Sequence, residues 1–528
     1  MNMWRLKLAM IIILGWLTLT LACNFPIRGG QVSGLSGEQL RQTLAAHSTA
    51  TAQGTPGTIP FLAETMTATS VIEATSPSTS ILAPSGAWNG PDDDDATAFH
   101  YYTQPGDTLQ ALEGRFEVEA VQIISERPLS ESGFLMPGQF LIITNLLEEA
   151  PRFPRHVLPD SELIDSPSAV GFDVTAFVQE AGGYLSEYWE TVDGERLSGA
   201  EIVRRVALES SVNPRFLLAL LEYRSGWVYG QPTDRHSESY PIGFDVPGWG
   251  GLYKELVITA THLNMAYYGW RAGTITEMKY TDGSRTRMNP ELNAGSATVQ
   301  HLLAKLYDPQ PWEEALYGED NFPAFYQAMF GDPWNRAAGV EPLFPSGLAQ
   351  PELELPFQPG ERWSLTGGPH ESWKTGSPRG ALDLAPVTGE AECAVSKAWV
   401  TASAPGLVVR SARNAVVVDL DGDSYEETGW TVLYYHIADK ERVAEGTWVA
   451  LNDRIGHPSC EGGNVTGTHV HVARKFNGEW IAADGPLPFV MSGWQAVAYE
   501  KNYLGELRKG GQTAVASPVG PSTSIVTR

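Results

Sequence analysis

The run Gly467-Thr468-His469-Val470-His471-Val472 restricts the fold of its surroundings more than any other stretch of the chain. Its alternation matches the period of a β-strand, in which residues two apart point to the same face. Val470 and Val472 are then turned toward a core, and both imidazoles share the open face. Two imidazoles converging there can bind a metal, or one can bind it while the other works beside it. His-x-His alone is a weak signal, because exposed histidines are common. The segments around it decide what it means.

Those segments read as strands separated by turn residues. Ala398-Trp399-Val400, Gly406 to Arg410, Ala415 to Asp419, Trp430 to His436 and Gly467 to Arg474 are rich in Val, Trp and Tyr. Ala404-Pro405-Gly406, Asp421-Gly422-Asp423 and Asn477-Gly478 punctuate them. Short strands at this spacing predict an antiparallel all-β domain over residues 350–507. One of the turns, Asp419-Leu420-Asp421-Gly422-Asp423 with Glu426 and Glu427, gathers carboxylates that suit Ca²⁺. Its glycine is misplaced for an EF-hand loop, so an acidic hairpin tip is the expectation. Ca²⁺ binding by Asp419, Asp421 and Asp423 stays open.

With 528 residues the chain exceeds what one core holds, so several domains are expected. Its net charge of -26 argues against a nucleic-acid partner, which would need clustered Lys and Arg. Arg5 and Lys7 precede an apolar run from Leu8 to Leu21, short for a membrane span and suited to an export signal over residues 1–23. The run ends at Thr20-Leu21-Ala22-Cys23, which resembles a bacterial lipobox with Thr20 where Leu is usual. That resemblance implies a lipidated Cys23 and a place on the outer side of the cell envelope, anchored to the membrane; an ordinary signal peptide or uncleaved anchor is the alternative. Residues 24–97 are rich in Ser, Thr, Ala, Pro and Gly and close on Asp92-Asp93-Asp94-Asp95. They carry too little apolar surface to offset ordering entropy, and are expected to form a flexible stalk. Beyond Cys23 only Cys393 and Cys460 remain. In an exported chain they are expected to form a disulfide, the alternative being two buried thiols. The last residues, 508–528, are Gly-, Ser-, Pro- and Thr-rich and are expected to be disordered.

Residues 99–145 read as strand, turn, two short helices and a returning strand, from Tyr102-Thr103-Gln104-Pro105-Gly106-Asp107-Thr108-Leu109 to Met136-Pro137-Gly138-Gln139-Phe140-Leu141-Ile142-Ile143. Both ends resemble the opening and closing motifs of a LysM domain, a small α+β module. The resemblance implies binding to N-acetylglucosamine-containing glycan, hence to peptidoglycan. It also implies a groove between the loops around Gly106 to Thr108 and Phe134 to Pro137.

Residues 158–345 are expected to be mainly helical. Ser198-Gly199-Ala200-Glu201 has an N-cap pattern, and Asn213-Pro214 opens a second, strongly apolar helix through Leu221. Leu252 to Trp270 and a segment from Asn293 give two more, with Thr281-Asp282-Gly283 as a turn between them. The second helix faintly resembles the catalytic helix of lysozyme-like transglycosylases. The position of their acid is taken here by Arg224, and Glu222 lies two residues earlier, on another face. An inactive or sugar-binding lysozyme-like domain is one reading and an unrelated helical domain another; a helical domain that also cuts glycan is the third, and Arg224 argues against it.

Within the β region, Thr366-Gly367-Gly368-Pro369-His370, Leu382-Asp383-Leu384, Tyr434-Tyr435-His436, Cys460-Glu461-Gly462-Gly463 and the His469-Val470-His471 run together resemble the lysostaphin-type (LytM) zinc endopeptidases, in particular their staphylolysin or β-lytic branch. In the commoner branch the first ligand stands four residues before the Asp, where this chain has Arg379. In the staphylolysin branch it stands thirteen before, where this chain has His370. The resemblance implies Zn²⁺ ligands His370, Asp383 and His471, with His436 and His469 as catalytic, non-ligand histidines. Two imidazoles and one carboxylate are a catalytic set that leaves a position open for water. His457 matches no family position and is expected to be structural. The implied function is that of a cell-wall zinc metalloendopeptidase cutting peptide bonds in peptidoglycan cross-links or in peptides. The alternative is a non-catalytic envelope protein that binds peptidoglycan or activates another hydrolase.

Overall fold

The structure, a computed structural model, describes residues 97–148, 152–463 and 465–528. The export signal, Cys23 and the stalk lie outside the described residues.

The first unit packs strand β1 (Ala98–Tyr102), a helix Leu109–Phe116, strand β2 (Ile123–Ser125) and strand β3 (Phe140–Thr144) into an antiparallel sheet of order β1-β3-β2. The Thr108 side chain caps the helix by accepting from Ala111 N–H. Alternation turns Tyr101, Leu141, Ile143 and Ile123 inward onto Leu112 and Phe116 of the helix. The second short helix expected here is replaced by one 3-10 turn, Ala120–Gln122, running straight into β2. Ile123-Ile124 pairs with Ile143-Ile142 of β3, and β-branched side chains fit that pleated edge better than a helix.

The middle region is helical as expected, from residue 156 to 337, with two added hairpins. Strands β4 (Trp189–Val192) and β5 (Glu195–Ser198) form one, and β6 (Glu277–Lys279) and β7 (Arg285–Arg287) the other, closed by the expected turn at Thr281-Asp282-Gly283. The helix Gly199–Ser210 starts at a capping box of Ser198 and Glu201. The helix Pro214–Ser225 starts at Asn213, whose side chain accepts from Arg215 N–H, and it is buried nearly all round. The long helix Leu252–Arg271 and the helix Ala294–Ala304 complete the core of this region.

The C-terminal region is an antiparallel sheet domain. Its main sheet uses β8 (Arg362–His370), β9 (Ala381–Pro386), β11 (Gly406–Ala412), β12 (Ala415–Asp419), β13 (Trp430–Tyr435), β14 (Trp448–Val449), β16 (Val470–Phe476), β17 (Glu479–Trp480) and β22 (Ile525–Thr527), in the order β14-β11-β12-β13-β16-β9-β8-β22 with β17 beside β16. Strands β10 (Val400–Thr401) and β15 (Arg454–Gly456) pair separately. Strands β18 (Val490–Met491), β19 (Trp494–Ala498), β20 (Gly505–Lys509) and β21 (Gln512–Val515) make a second sheet.

Two corrections concern the chain end. The domain does not stop at 507, and residues 508–528 are not disordered. They carry β21 and β22, and β22 pairs with β8. Composition pointed to disorder, but Val526 is fully buried and Arg528 reaches back to Glu354 at 2.7 Å, so tertiary partners order the segment.

The main sheet is covered on both faces. Val470, Val472, Leu382, Leu384, Val416, Val418 and Val432 form the β-domain core. On the opposite face Ala381, Ala415, Val417, Leu433, Ala473 and Trp480 join the core of the helical region. Small alanines on three strands let the helices approach that face closely. Asp383 and His471 share this face, being two residues from Ala381 and Ala473. The site therefore lies beside the seam between the helical and β domains.

Candidate metal centre

Register brings the site together. His471 of β16 lies opposite Asp383 of β9 on one side and Tyr435 of β13 on the other. His370 ends β8, and irregularities between Leu365, Gly367 and His370 shift it into reach of β9. Gly367 is required there, because a Cβ would run into the Asp383 carboxylate. His436 follows β13 with φ +63°, a left-handed turn that swings its ring across the end of the sheet.

The side chains converge on one point. His370 Nε2 lies 3.0 Å from His471 Nδ1. Asp383 Oδ1 is 3.3 Å from His370 Nε2 and 3.4 Å from His471 Nδ1. The other ring nitrogens are already used: His370 Nδ1 donates to Gly368 O at 2.8 Å, and His471 Nε2 donates to Ser372 O at 2.9 Å. These carbonyls fix the tautomers, so the two facing nitrogens both present lone pairs. Asp383 Oδ1 is buried and accepts no aligned hydrogen bond. Three buried lone-pair donors facing one another without protons is a costly arrangement that a cation relieves. The separations match the roughly 3.3 Å edge of a tetrahedron with bonds of ~2.0–2.1 Å. His370, Asp383 and His471 are a zinc-binding set: two neutral imidazoles and a carboxylate, each with one donor atom within 4.8 Å of the others.

Electrostatics call for positive charge at this point. Burial pushes the Asp383 carboxyl up, but His370 and His469 in their protonated forms outweigh it and hold it well below the usual carboxylate range; burial pushes His370 down, but the Asp383 carboxylate outweighs that and raises it. Burial, reinforced by His469 and His471, pushes the His436 imidazole down to about 3.

His436 and His469 flank the centre with ring centroids 4.7 Å apart. His436 Nδ1 donates to Glu461 O at 3.1 Å and His469 Nδ1 to Gly467 O at 2.8 Å, which leaves each Nε2 free. His469 Nε2 is 3.6 Å from Asp383 Oδ1. The Cys393–Cys460 disulfide is formed, and it tethers the loop carrying Glu461. Ser459 in the same loop donates twice to His436 O, at 2.9 Å from both its N–H and its hydroxyl.

The remaining charged candidates take no part in this centre. Arg379 is no ligand: its guanidinium donates to Pro369 O, Tyr499 O and Lys501 O at 3.2, 2.7 and 2.9 Å. His457 sits between Ala398 O at 2.8 Å and Glu441 at 2.9 Å. Glu222 is buried and its Oε2 accepts from Val228 and Tyr229 N–H, closing the end of its own helix. Asp419 accepts from Asp421 and Ser424 N–H, and Asp423 from Tyr425 N–H, so these carboxylates hold the hairpin tip itself. Asp419, Asp421 and Asp423 do bring one oxygen each within 4.8 Å of the others.

Tyr503 escaped the sequence reading. Its ring stacks on His370 with centroids 4.2 Å apart, and its backbone pairs with Gly368 and Pro369. It sits in a loop at φ +67°, and nothing in the local pattern marks it.

Residues 156–343 match the family model described as LasA, N-terminal domain. The chain is 27% identical to Protease LasA of Pseudomonas aeruginosa over 304 residues, 52% of this chain and 65% of that one. It is 29% identical to the β-lytic metalloendopeptidase of Achromobacter lyticus over 185 residues, 34% of this chain and 45% of that one. It is 28% identical to the β-lytic metalloendopeptidase of Lysobacter enzymogenes over 167 residues, 30% of this chain and 84% of that one. The chain thus spans just under two thirds of the length of the LasA relative, 65%.

Proposed function

We propose that this chain is an exported zinc metalloendopeptidase that hydrolyses peptide bonds in peptidoglycan cross-links or in peptides. The observation that carries the reading is the convergence of His370 Nε2, His471 Nδ1 and Asp383 Oδ1, all buried and none holding a proton for another. The likeness to LasA and to two β-lytic metalloendopeptidases supports it. Zinc bound there supplies a Lewis acid that polarises a carbonyl and acidifies a water toward neutral pH.

The rest falls to the protein. With Nδ1 committed to Glu461 O, neutral His436 offers Nε2 as an acceptor, and its depressed basicity keeps it unprotonated before reaction. His469 offers Nε2 from the opposite flank. Either of the pair can take the proton of the attacking water at Nε2; carrying that proton, the same ring donates to the oxyanion as the carbonyl becomes tetrahedral and then passes the proton to the leaving amine. Tyr503 and the Arg379 clamp hold His370 from behind.

The reading extends to the N-terminal unit, residues 99–145, as a LysM-type module that binds the glycan of peptidoglycan, and to lipid attachment at Cys23. The decisive experiment combines zinc analysis of the purified chain with digestion of sacculi. One zinc per chain and release of new amino groups, abolished by a chelator and restored by Zn²⁺, is expected. A chain that lacks zinc, or that frees no amino groups when loaded, is a non-catalytic envelope protein. Membrane fractionation of Cys23→Ser tests anchoring, with release into the soluble fraction expected.

A further inference from the structure

The geometry points to a closed state of the N-terminal unit, in which the loops that would hold a sugar are docked on the rest of the chain, so that docking and glycan binding exclude each other. This rests on the glycan-binding reading of that unit.

Three contacts make the dock. At the first loop, Gln104 Nε2 donates to Glu291 O at 2.9 Å, and the Arg271 guanidinium donates to Pro105 O. Gly106 is buried with φ +85°, and a Cβ there would meet Arg271 and come within 3.2 Å of Phe344. Arg271 is itself fixed by Asp160 and Glu479, each at 3.2 Å, so the helical and β domains jointly present it. At the second loop, Phe134 packs on the buried Phe344 with ring centroids 5.1 Å apart, beside Ile481 and Leu487 of the β domain. These loops, Gly106 to Thr108 and Phe134 to Pro137, are the walls of the expected groove.

The third contact shows that the dock is built. Gly114, in the helix of the unit, faces Gly273 at the end of the long helix. A Cβ on Gly114 would strike Gly273 O, and one on Gly273 would lie 2.6 Å from Ala111 O. Two backbones approach closely because both residues lack a side chain. Arg287 of the β6–β7 hairpin then donates to Arg115 O at 2.6 Å and Gly114 O at 3.3 Å, satisfying carbonyls at the C-terminal end of the other unit's helix. The opposite side of the unit stays open, with Tyr102 and Phe140 exposed on the sheet.

A docked population lowers the apparent affinity for glycan by the fraction that is undocked. Gly114→Leu should break the dock while favouring the helix it sits in. Arg287→Ala should weaken the dock from outside the unit, leaving its fold untouched. The full chain and both variants are titrated calorimetrically with the tetramer of N-acetylglucosamine, and hydrogen exchange is followed at 104–108, 133–137, 342–348 and 481–487. Both variants are expected to exchange faster in all four segments and to bind the tetramer at least about tenfold tighter than the parent chain. Equal affinity in the three chains, with the four segments still protected in the sugar-bound parent, overturns the exclusion. Absence of binding in chains whose segments have become exchange-labile overturns the glycan reading and the exclusion with it. The two failures are told apart by whether any chain binds.

Discussion

At the scale of single residues, the proposed mechanism separates groups that hold the metal from groups that would move protons. His370, Asp383 and His471 contribute the atoms that face one another, whereas His436 and His469 face the same space from its flanks. His370→Ala, Asp383→Ala and His471→Ala are therefore expected to lose zinc and activity together, by metal analysis and by amino-group release. His436→Ala and His469→Ala are expected to keep most of their zinc and to lose about 10²–10⁴-fold in rate, the usual worth of a positioned acid or base. Full zinc and activity in His370→Ala would sink the assignment. Arg379→Ala should keep zinc, because its three bonds go to carbonyls that position the Tyr503 loop. Strand alternation made the shared face of His469 and His471 legible, whereas His370 and Asp383 were legible only through the family resemblance, because register irregularities in β8 bring His370 to β9. Tyr503 was legible in neither way: it reaches His370 only through a loop whose path is set by Arg379, more than a hundred residues earlier in the chain.

At the scale of elements, strand positions were legible wherever alternation and turn residues coincided. The stretch from Ala415 to Asp419 is a strand end to end, and the N-cap patterns at Ser198 and Asn213 open helices. The failures came where composition competed with a distant partner. The Ser-, Pro- and Thr-rich tail supplies β22, the edge strand beside β8, which carries His370 at its far end. Val526 fills the β-domain core, and Trp494 Nε1 donates to Thr527 O at 2.9 Å. Deleting residues 521–528 should therefore cost at least about 2 kcal/mol, a fall in Tm of roughly 4–8 °C for a domain of this size. An unchanged melting curve for the truncated chain would restore the view of a dispensable tail.

At the scale of the molecule, the helical region and the sheet share a core, and the products should report which of them does chemistry. Glu222 Oε2 accepts from the N–H groups of Val228 and Tyr229, and Arg224 donates to Ile242 O at 2.8 Å and lies over the Tyr307 ring. Glu222 is the one acid of that helix, and it is buried, with no exposed oxygen to offer a glycosidic bond. Digested sacculi should gain free amino groups without gaining reducing ends, and reducing-end release by the chain carrying His370→Ala would show a second activity. The same helical core sets the response to acid. His262 lies on the long helix Leu252–Arg271 and His301 on the helix Ala294–Ala304, and in each Nδ1 is buried without a partner. Burial pushes His262 down to about 4 and His301 down to about 3, and Lys305 beside both adds to it. Both are depressed relative to the unfolded chain, near pH 6.5, so the unfolded state binds protons first as the pH falls. Their contribution to stability is whole above about pH 6.5 and is lost progressively below it, at up to ~1.4 kcal/mol per pH unit for each group, until the folded values are reached. Urea unfolding of the full chain between pH 7 and pH 4.5 should show a steeper loss than that of His301→Gln, which cannot take up the proton. Parallel pH profiles for the two chains would remove His301 as a cause of acid lability.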